Sequence, residues 1–135
     1  MMDLDIPERL IPVRDKIDKF VRERVDPLTD EYYEQINVGD RWALNDRQTE
    51  ILDGLKDQAR EAGLWNFFLP DAKTGEGLPN LDYAYIAVEL GKNPLASETL
   101  NCSAPDTGNM EVLERVATPE QKEKWLKPLL NGEIR

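Results

Sequence analysis

Residues 100–135 read LNCSAPDTGNMEVLERVATPEQKEKWLKPLLNGEIR. This stretch decides the fold because it spells out where one helix stops and the next begins. Thr118-Pro119-Glu120-Gln121 puts a hydroxyl at an N-cap, proline at the first helical position and an amide where it can close a capping box. Upstream, Asp106 or Thr107 is expected to cap a helix whose apolar residues are Met110, Leu113, Val116 and Ala117, at helical spacing. Downstream, Trp125, Leu126, Leu129 and Leu130 make a second apolar stripe, closed by Asn131-Gly132. Before both helices lies a polar elbow of small residues, Asn101-Cys102-Ser103-Ala104-Pro105. A helix start crowded with polar groups and glycine is a place where a ligand can approach backbone.

Working outward from there, the same grammar recurs. Asn80 is expected to cap a helix through Leu81, Ala84, Tyr85 and Val88 that ends at Gly91. The loop 71–79 contains Gly75 and Gly77, but Gly-Glu-Gly is too short for a phosphate loop and no Gly-Lys-Ser/Thr follows. The dense apolar run 64–70, LWNFFLP, reads as an extended segment buried beneath the helices. Asn45 and Gln48 open a further helix as another capping box, with Ile51, Leu55, Ala59 and Ala62 on one face and Gly63 past its end. Gly54, inside that helix, is a position where a neighbouring helix could come close. At the start, Leu10, Val13, Ile17, Phe20 and Val21 line a first helix, with Pro12 confined to its opening turn and Asp26-Pro27 expected to end it.

Composition narrows the function. The 135 residues hold 27 acidic and 17 basic side chains, a net charge of −10, so no basic stripe exists to displace phosphate counterions from a nucleic acid. Histidine is absent, which removes Ser-His-Asp and Cys-His chemistry and most zinc sites. The single cysteine, Cys102, excludes an internal disulfide and fits a reducing compartment. No apolar run approaches the roughly 20 residues of a membrane span. The acidic start MMDLDIPERL lacks the features of a signal or transit peptide, so a cytoplasmic location is expected.

The runs NCSAPDTGNMEVL and TPEQKEKWLKPLLNGEIR, together with GLWNFFLP and LDYAYIAVELGKNPLA in the same order, resemble the N-terminal helical domain of acyl-CoA dehydrogenases. The resemblance covers nearly the whole chain. It implies an all-α, antiparallel bundle of four to five main helices forming one domain over 1–135, the first domain of a longer flavoenzyme. The reaction it implies is oxidation of an acyl-CoA thioester to the 2-enoyl-CoA, in a homo-oligomer whose β- and C-terminal α-domains hold FAD. No catalytic residue is expected here, since the family's glutamate base would lie beyond Arg135. The chain alone is expected to bind no flavin, coordinate no metal and show no activity. By the same resemblance, Asn101, Cys102, Pro105, Asp106, Gly108 and Asn109 are expected at the wall of the acyl-chain pocket. A second reading is an acidic helical interaction module with no ligand.

The periodicity places main helices near 8–25, 45–62, 80–91, 106–117 and 119–131. The expected core is Leu10, Val13, Ile17, Phe20, Ile51, Leu55, Trp65, Phe68, Leu81, Tyr85, Val88, Leu113, Val116, Leu126 and Leu129.

Overall fold

A computed structural model describes residues 5–135. Among them every regular element is helical. A 3-10 turn, Glu8–Leu10, leads into α1 (Ile11–Phe20), with Pro12 in its first turn, where a missing N–H costs nothing. The helix does not stop at Asp26-Pro27 as expected. It passes through a π-turn, Val21–Val25, into α2 (Asp26–Glu34) and a 3-10 turn, Gln35–Asn37. Asp26 N–H reaches back five residues to Val21 O, and the widened turn makes room for the ring of Pro27.

The same device recurs at the other end. The capping box of Thr118 and Gln121 opens α7 (Pro119–Gln121), which runs through a π-turn, Lys122–Leu126, into α8 (Lys127–Leu130). Lys127 N–H bonds Lys122 O, again just ahead of a proline, Pro128. A proline that would break a regular helix is thus absorbed twice by one extra residue per turn.

Between these ends lie α3 (Asp46–Glu61), α4 (Asn80–Leu90), α5 (Ala96–Thr99) and α6 (Asp106–Val116). The Asn45–Gln48 capping box forms as expected. Gly63, at φ +65°, lets Leu64 N–H return to Ala59 O and close the end of α3. The two other expected caps do not form. Asn80 and Asp106 are the first residues of their helices, preceded by Pro79 and Pro105, and neither helix has a side-chain cap.

The core is one cluster: Ile17, Phe20, Val21 and Val25 from the first helix, Ile51, Leu55 and Ala59 from α3, Ile86 and Leu90 from α4, and Met110, Leu126 and Leu129 from the end of the chain. Segment 64–70 is irregular rather than extended. It turns at Asn66 and buries Leu64, Phe67, Phe68 and Leu69 beneath the helices.

Of the expected core, Leu10, Ile17, Phe20, Ile51, Leu55, Phe68, Leu126 and Leu129 are buried, and Val13, Trp65, Tyr85 and Leu113 are half-buried. Three are exposed: Leu81 (68%), Val88 (65%) and Val116 (75%). On α4 the inward face is Asp82, Ile86, Glu89 and Leu90. This helix is apolar on several sides, so its pattern does not choose a face. Charge pairing does. Arg9 grips Asp82 with both terminal nitrogens, one of them at 3.0 Å, and Lys92 neutralises Glu89. The Arg9 guanidinium holds the Asp82 carboxyl below its ordinary range. On α6, Met110 faces in while Val112 and Val116, one turn apart, face out.

Gly54 has no neighbouring helix against it, contrary to the expectation, since a Cβ built there would meet nothing within 4 Å. Gly54→Ala is therefore expected to raise stability by about 1 kcal/mol, read as a higher thermal midpoint. A lower midpoint would show that the backbone at this position needs glycine.

Candidate functional site

The elbow is held from behind by two asparagines in left-handed backbone, Asn66 and Asn101, both at φ 55°. Asparagine tolerates that region better than other residues with a Cβ. Asn101 Nδ2 donates to Asn66 Oδ1 (2.7 Å) and Leu129 O (3.0 Å), and Asn66 Nδ2 donates to Leu130 O (3.0 Å). Trp65 Nε1 donates to the same Leu130 carbonyl at 2.7 Å, and Asn66 N–H to Leu100 O at 3.1 Å. The last carbonyls of α8, orphans of any helix end, are thus satisfied by side chains from two distant loops.

The six residues expected at a pocket wall divide in two. Asn101 and Cys102 are buried and face inward. Cys102 Sγ sits 3.3 Å from Leu100 O, and burial pushes its thiol up to about 11, which leaves it a packing residue and not a nucleophile. Burial likewise raises the phenol of Tyr83, which touches the thiol. Pro105, Gly108 and Asn109 are exposed together at the start of α6, and the Ala104–Pro105 peptide is cis. With Val112 and Val116 they form an outward stripe of small and apolar residues. A Cβ at Gly108 would meet nothing within 4 Å.

Asp106 sits between the two groups. It is 5% exposed, and Oδ1 is the one buried side-chain polar atom without a partner among the described residues. Its Oδ2 lies 3.3 Å from Arg135 Nε, Arg135 reaches Glu98 at 3.0 Å, and Glu98 pairs with Lys56 at 2.7 Å. Two cations and two carboxylates therefore form one chain of contacts across the base of the elbow.

Arg135 borders three grooves, two of them larger than about 300 Å³. One, of about 380 Å³, lies along α6 and is lined by Asn109, Val112, Leu113, Trp125, Leu129 and Ile134. The other, of about 440 Å³, has apolar walls from Ile36, Leu44, Leu52 and Leu95, with Tyr32, Glu98 and Ser103 adding polar groups. Both fall within the size range of small-molecule sites. Tyr32, Glu98, Ser103 and Arg135 are not among the residues expected from the sequence. No local pattern marks them, because they come from four separate segments.

A family model described as the N-terminal domain of acyl-CoA dehydrogenase matches residues 8–133. The chain belongs to the acyl-CoA dehydrogenase family. It is 42% identical to mouse acyl-CoA dehydrogenase family member 10 over 96% of its length, and 42% identical to human acyl-CoA dehydrogenase family member 11 over 88%. Its fold matches a solved Mycobacterium abscessus structure assigned to the acyl-CoA dehydrogenases, with a TM-score of 0.82 and 39% identity over 97% of the chain. The chain spans 12% and 15% of the two curated relatives and 33% of the solved structure's chain. The helical fold is thus that of an acyl-CoA dehydrogenase N-terminal domain. Among the described residues no helix is long and apolar enough to cross a membrane, and no cluster of potential metal ligands occurs.

Proposed function

We propose that this chain is the first domain of a flavin-dependent acyl-CoA dehydrogenase, and that the elbow and the start of α6 form part of the wall against which the acyl chain lies. The observation that supports this reading is an exposed stripe of small and apolar residues, Pro105, Gly108, Val112 and Val116, on a helix of the family's fold. An acidic interaction module would have no use for a helix start with its side-chain volume removed. In this reading Asn101 and Cys102 shape the wall from behind, while Pro105, Gly108 and Asn109 face the chain.

Oxidation of an acyl-CoA between C2 and C3 needs an electron sink that no side chain supplies; FAD supplies it when bound. The residues of this chain do not fit a flavin diphosphate. A groove of about 760 Å³ is lined by Lys56, Arg60 and Lys73, but also by Asp53, Asp57 and Glu133. Lys56 is held by Glu98, and Arg60 by Asp57 and the Asn131 carbonyl. The proposal therefore assigns the flavin and the proton-abstracting base to the β- and C-terminal α-domains of the whole, oligomeric enzyme. The domain alone is expected to be colourless and inactive.

The test is Gly108→Phe in the complete enzyme. A Cβ at Gly108 meets nothing within 4 Å, so the fold should survive, and the ring should displace methylenes of a long acyl chain. Each CH₂ left in water forgoes about 0.8 kcal/mol, roughly a fourfold loss in binding. Long acyl-CoAs should lose kcat/KM while short ones keep it, at unchanged flavin content. Equal losses at every chain length would show that this face of α6 is scaffold.

A further inference from the structure

The groove of about 380 Å³ along α6 has walls from two helices of this chain. Asn109, Val112 and Leu113 of α6 form one side, and Trp125 and Leu129 of the terminal helix form the other, with Ile134 beside them. Leu129 belongs to the buried core and Leu113 packs against that core, so these two make the floor. Asn109 and Val112 are exposed along one rim. Trp125, 46% exposed, stands on the opposite rim and is the largest side chain in the lining. It lies in the π-turn Lys122–Leu126, a kind of turn frequent at functional sites. The Lys124 ammonium is 4.7 Å from its ring centroid, a contact that favours one orientation of the indole.

Asn109 and Val112 tie this groove to the proposed acyl wall, since they continue the exposed stripe that begins at Pro105 and Gly108. Those positions recur at three- and four-residue steps and so share one face of the helix. The flavin and the base are assigned above to other domains, which puts the reacting carbons C2 and C3 outside this groove. Both sides of the groove belong to this domain, so the part of an acyl chain that enters it is the part remote from those carbons. Arg135, the charged member of the lining, is already held by Glu98 and Asp106. The groove therefore suits an uncharged chain end.

We propose that the distal methylenes of an acyl chain lie between α6 and Trp125, which makes Trp125 a residue that sets chain-length preference. This rests on the acyl-wall reading above. The indole and the hydrocarbon leave water together, so each further carbon in the groove adds affinity. A chain too short to reach the groove gains nothing from Trp125.

The experiment uses the complete enzyme with dodecanoyl-CoA and butanoyl-CoA. Trp125→Ala should lower kcat/KM for dodecanoyl-CoA about tenfold through KM, and leave butanoyl-CoA within about twofold of wild type. Trp125→Phe keeps a ring against the chain and should hold dodecanoyl-CoA within about threefold. In fluorotryptophan-labelled enzyme, the fluorine resonance that disappears in Trp125→Phe should lose its solvent isotope shift when dodecanoyl-CoA binds, and keep it with butanoyl-CoA. If the alanine variant does not retain flavin, that resonance in the otherwise unaltered enzyme decides. If the enzyme oxidises neither substrate, or Gly108→Phe costs both equally, the acyl-wall reading falls and this proposal with it. If Gly108→Phe is selective for the long chain while Trp125→Ala lowers both substrates alike or neither, this proposal alone is overturned. A Trp125 resonance that stays solvent-exposed with the long chain bound overturns it too, as does a response at Trp42, which lines the groove of about 440 Å³ instead.

Discussion

Replacing Asn101 with alanine is expected to destabilise the fold by about 3 kcal/mol, chiefly through a buried acceptor left without its donor at roughly 1–3 kcal/mol. That acceptor is Asn66 Oδ1; Leu129 O also loses the amide but keeps the Gly132 N–H at 2.9 Å. A smaller part comes from the backbone, since alanine at φ 55° bears the left-handed penalty of about 1 kcal/mol that asparagine and glycine largely escape. Asn101→Gly separates the two contributions. It keeps the backbone relaxed but supplies no amide, so it should recover only about 1 kcal/mol of the loss by urea unfolding. Pairing Asn101→Ala with Asn66→Ala should give losses that fall short of additive by 1 kcal/mol or more, because either change breaks the shared bond. Full additivity would mean the two side chains act independently, and the account of the elbow as a staple on α8 would fail.

Gly75→Ala is the second substitution expected to do severe damage, at about 3 kcal/mol or more. A Cβ there would lie 2.6 Å from Leu69 Cβ and 2.8 Å from Asn66 O, and closer still to Leu69 O. Two of those atoms are backbone in the turn that carries Asn66, so they cannot swing aside as a lysine tip would. Gly75 N–H is also tied to Asp71 O at 2.7 Å, which stops the loop from backing away. The matched control is Gly54→Ala, where the added methyl meets nothing within 4 Å. A Gly75→Ala variant that melts as high as the Gly54→Ala variant would show that loop 71–79 is not pressed against segment 64–70.

These two sites show where sequence reading stops. Gly75 lies in a loop that reads as turn chemistry, and nothing within the loop reveals that residue 69 presses on it. Asn66 sits in an apolar run and Asn101 in a polar elbow, 35 positions apart. Only their shared left-handed backbone and one hydrogen bond make them a pair. Pro105, Gly108 and Asn109 could be named as candidates from the sequence because they stand together in one motif, and the fold exposes all three on one face of α6. Tyr32, Trp42, Glu98 and Arg135 could not, because the grooves they line exist only once α2, α3, α5 and the end of the chain have met.

The sequence by itself determined that the chain is helical, where most helices begin and end, and that it belongs with the acyl-CoA dehydrogenases. Its capping boxes at Asn45 and Thr118 and its stop at Gly63 involve atoms at most five residues apart, so local chemistry settles them. The tertiary structure decided which faces turn inward. Leu81, Val88 and Val116 are as apolar as any core residue, but Asp82 is drawn in by Arg9 from 73 positions away, and α4 rotates to follow it. It also decided that Pro27 and Pro128 lie within continuous helices, where a π-turn just before each ring relieves the clash that would otherwise have ended them. Asp106, expected as a helix cap, is claimed instead by Arg135. A charged partner brought close by folding outweighs a local bond worth about 1 kcal/mol.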